Sequence, residues 1–237
     1  MINYIKRKIQ RLLDSKKTRK IFYFYHYLTG GINSKSLKID FKLKKKRQEI
    51  VQELIELKKF KKYLEIGTFK NELFNYVKCE KKVGVDPISG GNIRKTSDDF
   101  FFQNKDSFDC IFIDGLHEYD QVKKDIINSL KYLNDGGIIF VHDCLPRSYF
   151  EQAVPRSQHV WTGDVWKSIV EFRTYDNLDI CVGKLDMGLG IILKRKNSNK
   201  LSISVKDFKN LKYKEFFENY ETYLNLISYS KIINFIG

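Results

Sequence analysis

Two acids and two histidines close two apolar runs within one stretch of this chain, Phe108–Pro146 (FDCIFIDGLHEYDQVKKDIINSLKYLNDGGIIFVHDCLP). The first run, Cys110–Ile113, ends in Asp114-Gly115-Leu116-His117, and the second, Ile138–Val141, ends in His142-Asp143. If both runs are strands, Asp114 and Asp143 end neighbouring strands, and their carboxylates could converge on one hard divalent cation, typically Mg2+. His117 then stands at the mouth of the same site, where a neutral imidazole could take a proton from an alcohol turning into a nucleophile. Each residue also has an ordinary explanation: Asp114 closing a tight turn, Asp143 capping the next segment, His142 buried and satisfied. Four such residues at two adjacent strand ends favour chemistry over coincidence. His142 goes to the acceptor side with no more definite role.

A second constellation lies upstream. Leu64-Glu65-Ile66-Gly67-Thr68 reads as a strand turning sharply at a glycine, and Asp86 follows nineteen residues after that glycine. Such a turn lets a nucleotide approach the backbone, and an acid ending the next strand can accept both hydroxyls of a ribose. The G-x-G-x-x-G pattern is absent, with Asn71 where a further glycine would stand, so the motif alone equally fits a plain strand–turn–helix. A third segment, His159–Lys167, holds the chain's only two tryptophans, Trp161 and Trp166, beside Lys167. Aromatic walls and a cation suit a sugar or another flat polar acceptor; core packing is the alternative for both rings. Asp164 reads as the N-cap of the helix that begins there.

The elements that must hold these residues alternate. Helices are expected over about 46–59, with Ile50, Val51, Leu54, Ile55 and Leu57 on the apolar side, and over about 119–133. The second carries Val122, Ile126, Ile127, Leu130 and Leu133 toward a sheet, with Asp120, Lys123, Lys124 and Asp125 turned to water. Strands are expected at Lys62–Ile66, Lys82–Asp86 and Asp109–Asp114. Beyond Pro146 come a helix at Val165–Phe172, two strands near enough to pair antiparallel (Leu178–Val182 and Gly188–Leu193), and a closing helix at Tyr213–Ser228. Strand–helix alternation implies an α/β fold: a Rossmann-like, doubly wound sheet, mostly parallel, with a C-terminal antiparallel hairpin. Its ligands would bind at the carboxyl ends of the strands.

The 237 residues suffice for one such domain with extensions. A basic helical N-terminal extension over 1–45 precedes the main domain, 46–237. Met1–Lys20 holds eight Lys/Arg against Asp14 alone, with Ile5, Ile9, Leu12 and Leu13 at helical spacing; the aromatic run Ile21–Leu28 follows, and Gly30-Gly31 breaks the pattern. Lys42–Arg47 is a second basic cluster. The whole chain carries a formal charge of +14 and a pI near 9.4, which favours acidic partners without choosing among them. Cys79, Cys110, Cys144 and Cys181 are far apart with no C-x-x-C pair, so a reduced, cytoplasmic chain is expected. No apolar run reaches the ~18–20 residues of a membrane span, and no uncharged stretch suits a signal peptide.

Taken together, Tyr63–Gly67, Asp86, Thr96–Phe101, Phe108–His117, Gly136–Pro146 and Gly163–Lys167 resemble the class I S-adenosylmethionine-dependent methyltransferases. Nearest in resemblance is the small-molecule and sugar O-methyltransferase group that includes the macrocin and mycinamicin enzymes. The resemblance spans roughly Arg47–Lys196, and D-G-L-H with G-G-I-I-F-V-H-D-C-L-P is its most specific part.

This resemblance implies a methyl transfer to a hydroxyl of a sugar, glycan precursor or related small molecule. It implies that Glu65, Gly67 and Thr68 meet the methionine part of the cofactor, that Asp86 holds the ribose, and that Ser97 and Asp98 reach the adenine. Asp114 and Asp143 would bind Mg2+, Asp114 also bordering the cofactor, and His117 would act as base. His142, Trp161 and Trp166 would line the acceptor.

An RNA-binding or RNA-methylating protein on the same fold is the competing reading. The charge supports it, but the excess is concentrated before Arg47 and no RNA-binding signature accompanies it. Residues 1–28 suggest a third partner class: a peripheral contact with the inner face of a membrane or with a partner enzyme. Assembly of identical copies is compatible with the sequence.

Overall fold

A computed structural model of the protein describes residues 15–41 and 45–237. Ile5, Ile9, Leu12 and Leu13 of the expected basic helix, and 42–44 of the second basic cluster, lie outside the described residues.

Helix α1 covers Lys16–His26, opened by Ser15, whose hydroxyl accepts from the Thr18 amide at 3.2 Å. A break was expected at Gly30-Gly31; instead a wide π-type turn, Tyr27–Gly31, carries the helix through both glycines, and the Ile32 amide closes on the Tyr27 carbonyl. The reason is packing. A Cβ on Gly30 would lie 2.6 Å from the Tyr149 ring, and one on Gly31 would lie 2.5 Å from Phe150. Residues 37–41 then run onto the main body, where Ile39 joins the core and the Leu37 amide donates to the Arg147 carbonyl.

Helix α2 (Arg47–Lys58) buries Ile50, Val51, Leu54 and Ile55, while Leu57, expected on the same side, is exposed. Strand β1 (Lys62–Ile66), helix α3 (Glu72–Tyr76), strand β2 (Lys81–Val85), helix α4 (Ser97–Gln103) and strand β3 (Phe108–Ile113) follow. Helix α5 (Tyr119–Lys131) and strand β4 (Leu133–Val141) complete the strand–helix–strand unit. Strand β4 begins earlier than expected, running through Gly136-Gly137, with an irregular register opposite Phe108–Cys110. Then come α6 (Tyr149–Gln152), α7 (Val165–Phe172), the antiparallel hairpin β5 (Asp179–Gly183) and β6 (Leu189–Leu193), and α8 (Tyr213–Leu224). The last helix stops at Asn225 in a left-handed conformation, short of the expected Ser228, and leaves room for β7 (Leu226–Ile227) and α9 (Ile232–Ile236).

The sheet order is β2-β1-β3-β4-β6-β5-β7. Strands β2, β1, β3 and β4 are mutually parallel, and β6 is antiparallel to both β4 and β5. This is the expected mixed Rossmann-like sheet. The chain leaves β1 for β2 on one side and returns past β1 to β3 on the other, so the strand order reverses between β1 and β3. That reversal is where open α/β sheets open a ligand crevice.

Period-2 alternation divides the buried side chains between the two faces of the sheet. Leu64, Ile66, Ile111, Ile113 and Ile139 pack under α5, α7 and α8; Tyr63, Cys110, Phe112, Ile138 and Phe140 pack under α2 and α9. The same parity carries Glu65, Asp114 and His142 onto the α2 side. On α5 the turn of 100° per residue overrides the expected stripe. Asp125 falls between Val122 and Ser129 and is 1% exposed, whereas Ile127 lies outside and is half exposed.

Candidate active site

The turn after β3 is built against two other loops. Gly67, at φ +85°, ends β1 so close to its neighbour that a Cβ would lie 2.1 Å from the Asp114 carbonyl oxygen. Gly163, at φ +60°, brings the loop before α7 onto the His117 carbonyl. Both positions need the freedom of glycine. Between them, Asp114 and His117 are fixed from both sides.

His117 then lies between two carboxylates. Its Nε2 is hydrogen-bonded to Asp114 Oδ1 at 3.1 Å, and its Nδ1 is 3.1 Å from Asp143 Oδ2. That second approach lacks the alignment of a hydrogen bond, so Nδ1 is a buried nitrogen without a hydrogen-bond partner. The ring stacks on Trp161, centroids 5.4 Å apart and planes at 22°, and the indole N–H of Trp161 donates to the Ala153 carbonyl at 2.7 Å. Trp161 is thus held as a wall of the site.

Asp143 has φ +61°, a left-handed backbone that Asp tolerates better than most side chains. This aims its carboxylate back at both histidines, 3.4 Å from Oδ1 to His142 Nδ1. His142 Nδ1 is also 3.3 Å from Asp114 Oδ1, while its Nε2–H donates to the Asp186 carbonyl at 2.9 Å. Burial alone would raise the Asp114 carboxyl; the imidazoles of His142 and His117 outweigh it and hold Asp114 well below the ordinary carboxylate range. The converse holds for His142: burial opposes its charge, but Asp143 and Asp114 keep the imidazolium stable well above its ordinary pKa. His117 is raised in the same way, Asp143 and Asp114 outweighing its burial.

Asp186 completes this half of the site, and its role was not evident from the sequence. It sits at the tip of the β5–β6 hairpin, and its Oδ2 accepts from the Arg47 backbone amide at 3.1 Å and from Nη1 at 2.9 Å. A signal was present: if the second strand of the hairpin runs antiparallel to β4, its tip must lie at the carboxyl edge of the sheet.

Among the residues expected on the cofactor side, Glu65 is buried, accepts the Tyr63 hydroxyl at 2.6 Å, and is pushed up to about 8 by burial, with Asp114 adding to the rise and Tyr63 opposing it. It is therefore protonated at neutral pH. Thr68 is buried, its hydroxyl 3.4 Å from the Ser89 carbonyl. Asp86 directly follows β2, but its carboxylate already accepts three backbone amides: Phe69 at 3.0 Å, Ile88 at 2.7 Å and Ser89 at 2.8 Å. A carboxylate offers about four acceptor positions, so one remains for a ribose hydroxyl where two were expected. Ser97 and Asp98 open α4, and Gln121 Nε2 donates to both and to Asp125, each at 3.1 Å.

Two expectations need correction. Trp166 is not an acceptor wall: it is fully buried and packs on Phe216, centroids 4.6 Å apart. Asp164 precedes α7 but does not cap it; its Oδ1 accepts the Tyr119 amide at 2.7 Å and so caps α5. A cleft of about 580 Å³, lined by residues 36–40, Arg147, Ser148 and Glu151, includes none of these residues, and its Arg147 is committed to Glu151.

Asp114, His117 and Asp143 each offer a ligand atom, all within 4.8 Å of one another. Two carboxylate oxygens beside one imidazole nitrogen form a donor set suited to a divalent cation.

Residues 56–144 match a family described as a methyltransferase domain. An uncharacterized protein of Acanthamoeba polyphaga mimivirus is 29% identical over 123 residues, 39% of this chain; the chain spans only 56% of that protein's length. A crystal structure from Klebsiella pneumoniae, assigned as an O-methyltransferase, superposes with a TM-score of 0.50 at 14% identity, covering 82% of this chain and 97% of that one. Over residues 56–144 the chain thus resembles a methyltransferase domain, and its sheet has the Rossmann-like fold of the Klebsiella structure.

Proposed function

We propose that the protein is an S-adenosylmethionine-dependent O-methyltransferase whose acceptor is a hydroxyl of a sugar, glycan precursor or related small molecule. The observation that carries this reading is His117, set between Asp114 and Asp143 and against Trp161, beside the β1–β3 reversal where Glu65 and Gly67 end β1. S-adenosylmethionine, when bound, supplies a methyl group on a sulfonium sulfur, and Glu65, Gly67, Thr68, Asp86, Ser97 and Asp98 would hold it. A divalent cation on Asp114 and Asp143 would supply a positive charge that favours the alkoxide form of the acceptor.

The remaining work falls to the chain. Trp161, with His117 stacked on it and the Arg156 guanidinium over its ring, is the aromatic wall beside which a sugar packs. His117 takes the hydroxyl proton at Nδ1, the nitrogen that lacks a hydrogen bond, while Asp114 holds Nε2 and fixes the ring. Asp143 and Asp114 stabilise the imidazolium that results. Placing oxygen and methyl carbon in line is the main contribution of such a site.

The test is methyl transfer from S-adenosylmethionine to a panel of nucleotide sugars, scored by mass with and without Mg2+ after chelation. His117→Ala should abolish transfer while cofactor affinity, read by calorimetry, is kept. If His117→Ala also loses Mg2+ binding, the residue is a ligand and not the base. Full activity after chelation would remove the cation from the mechanism.

A further inference from the structure

Among the described residues, helix α1 is held through one flank. His26 is 3% exposed and its Nε2–H donates to the Pro155 carbonyl at 2.7 Å. Tyr23 stacks on Phe150, centroids 4.4 Å apart and planes at 13°. At 100° per residue the opposite flank carries Lys17, Ile21, Phe24 and Leu28, at i, i+4, i+7 and i+11. Its apolar members are bare: Ile21 is 60% exposed, Phe24 63% and Leu28 57%. Tyr25 and Tyr27 are exposed beside them. Lys16, Lys17, Arg19 and Lys20 gather at the start of the helix, and residues 16–28 contain no acid.

We propose that this flank of α1 docks on the surface of an anionic lipid bilayer, the helix lying in the interface plane. Burying Ile21, Phe24 and Leu28 at the headgroup–acyl boundary removes apolar surface from water, and the neighbouring tyrosines suit the interfacial layer. The basic side chains meet anionic headgroups, each adding attraction that salt weakens. A second copy of the chain fits less well: apposed flanks would bring Lys17 and Lys20 against like charges, whereas interface cores are depleted of charge. RNA phosphates would take the lysines but leave the aliphatic side chains in water. Among the described residues no helix is long and apolar enough to cross a membrane, so the contact is peripheral. The clamp of His26 and Tyr23 onto residues 150–155 fixes how the loop beyond Asp143 faces that surface.

The experiment is sedimentation of the full chain with vesicles of phosphatidylcholine alone and of phosphatidylcholine mixed with phosphatidylglycerol, at low and physiological salt. The protein should pellet with the anionic vesicles, less so at higher salt, and stay in solution with phosphatidylcholine. Phe24→Gln with Leu28→Gln, and separately Lys17→Glu with Lys20→Glu, should each weaken partitioning by roughly tenfold or more with thermal stability unchanged, because these side chains are solvent-exposed. The proposal is overturned if the parent chain stays in solution with anionic vesicles, or if the apolar pair of substitutions leaves pelleting unchanged. Light scattering that shows a dimer dissolved by those same substitutions, without vesicle binding, would reassign the flank to self-association. An RNA shift abolished by the lysine pair, again without vesicle binding, would reassign it to nucleic acid.

Discussion

Gly163 and His117 touch backbone to backbone: a Cβ on Gly163 would lie 1.7 Å from the His117 carbonyl oxygen, which also accepts the Asp164 amide at 3.2 Å. The loop that carries Trp161 is therefore registered on the turn that carries His117, and one glycine sets the fit. In Gly163→Ala the left-handed backbone costs about 1–2 kcal/mol and the clash adds to it, so thermal denaturation should show a clear loss of stability. His117 should shift with the loop, lowering transfer more than about tenfold, since small displacements at a reacting centre are costly. Cofactor affinity should change little, because the atoms nearest a Cβ on Gly163 all belong to His117. Equal losses in both would mean that the loop supports the fold and not His117.

Asp125 is a buried acid with an imperfect environment. Burial lifts its pKa from 3.8 to about 6, although Ser97 and Gln121 bond to it and oppose the rise. The native state therefore holds the proton more tightly than the unfolded chain. The stability this gives is full below pH 3.8 and is lost as pH rises through 6. At neutral pH and above, Asp125→Asn should stabilise the protein by on the order of 2 kcal/mol, because the neutral amide still accepts from Gln121. Below pH 4 the variant should gain nothing. Denaturant melts at pH 4 and pH 8 distinguish the two regimes, and an equal gain at both would show that the carboxyl is not protonated preferentially in the fold.

Asp86 binds three backbone amides of its own loops, so its removal mixes two effects. Asp86→Ala should lower stability by about 1–3 kcal/mol through amides left without acceptors, as well as weaken S-adenosylmethionine binding. Asp86→Asn keeps an oxygen for the Ile88 and Ser89 amides and leaves only the Phe69 amide without its acceptor. Calorimetry should show weaker cofactor binding by Asp86→Asn with a smaller loss of stability than in Asp86→Ala. Unchanged binding would leave Asp86 as a brace of the loop after β2 and not a ribose contact.

The parallel half of the sheet was legible because each strand ends in a turn residue or an acid, and α7 matched its expected span because a single apolar helix begins after Thr162-Gly163-Asp164. Local pattern failed where contacts are distant. Asp164 reads as a cap for the helix that follows it, yet it caps α5, 45 residues earlier in the chain. Asp125 reads as a solvent-facing charge beside Lys123 and Lys124, and only the helical phase places it inward. Trp161 and Trp166 look alike in sequence, but five residues of loop and helix turn one toward His117 and the other into the core. Asp186 and Arg47 lie 139 residues apart, and neither carries a motif. Bringing them together required knowing that the hairpin tip shares an edge with the start of α2.

That distant pair makes the last prediction. Burial alone would lift the Asp186 carboxyl, but His142 and Arg47 hold it well below its ordinary value of 3.8. The folded state therefore favours the carboxylate. The stability this gives is present above pH 3.8 and is lost only as pH falls through the depressed folded value. Asp186→Asn at neutral pH removes the hydrogen-bonded counter-charge of Arg47, whose side chain is 20% exposed, leaving it the pull of Asp114 and Asp143, and should cost about 1–3 kcal/mol. His142 keeps its bond to the Asp186 backbone carbonyl in that variant, so its ring should stay in place and cofactor affinity should hold. A double-mutant cycle with Arg47→Met should return a coupling of about 1–2 kcal/mol, since the two groups share hydrogen bonds as well as charge. The cycle should give the same coupling at pH 5 as at pH 7, because the carboxylate is ionised at both. A coupling near zero would mean that the hairpin tip is held by its backbone alone, and that Arg47 meets the site through Asp114 and not through Asp186.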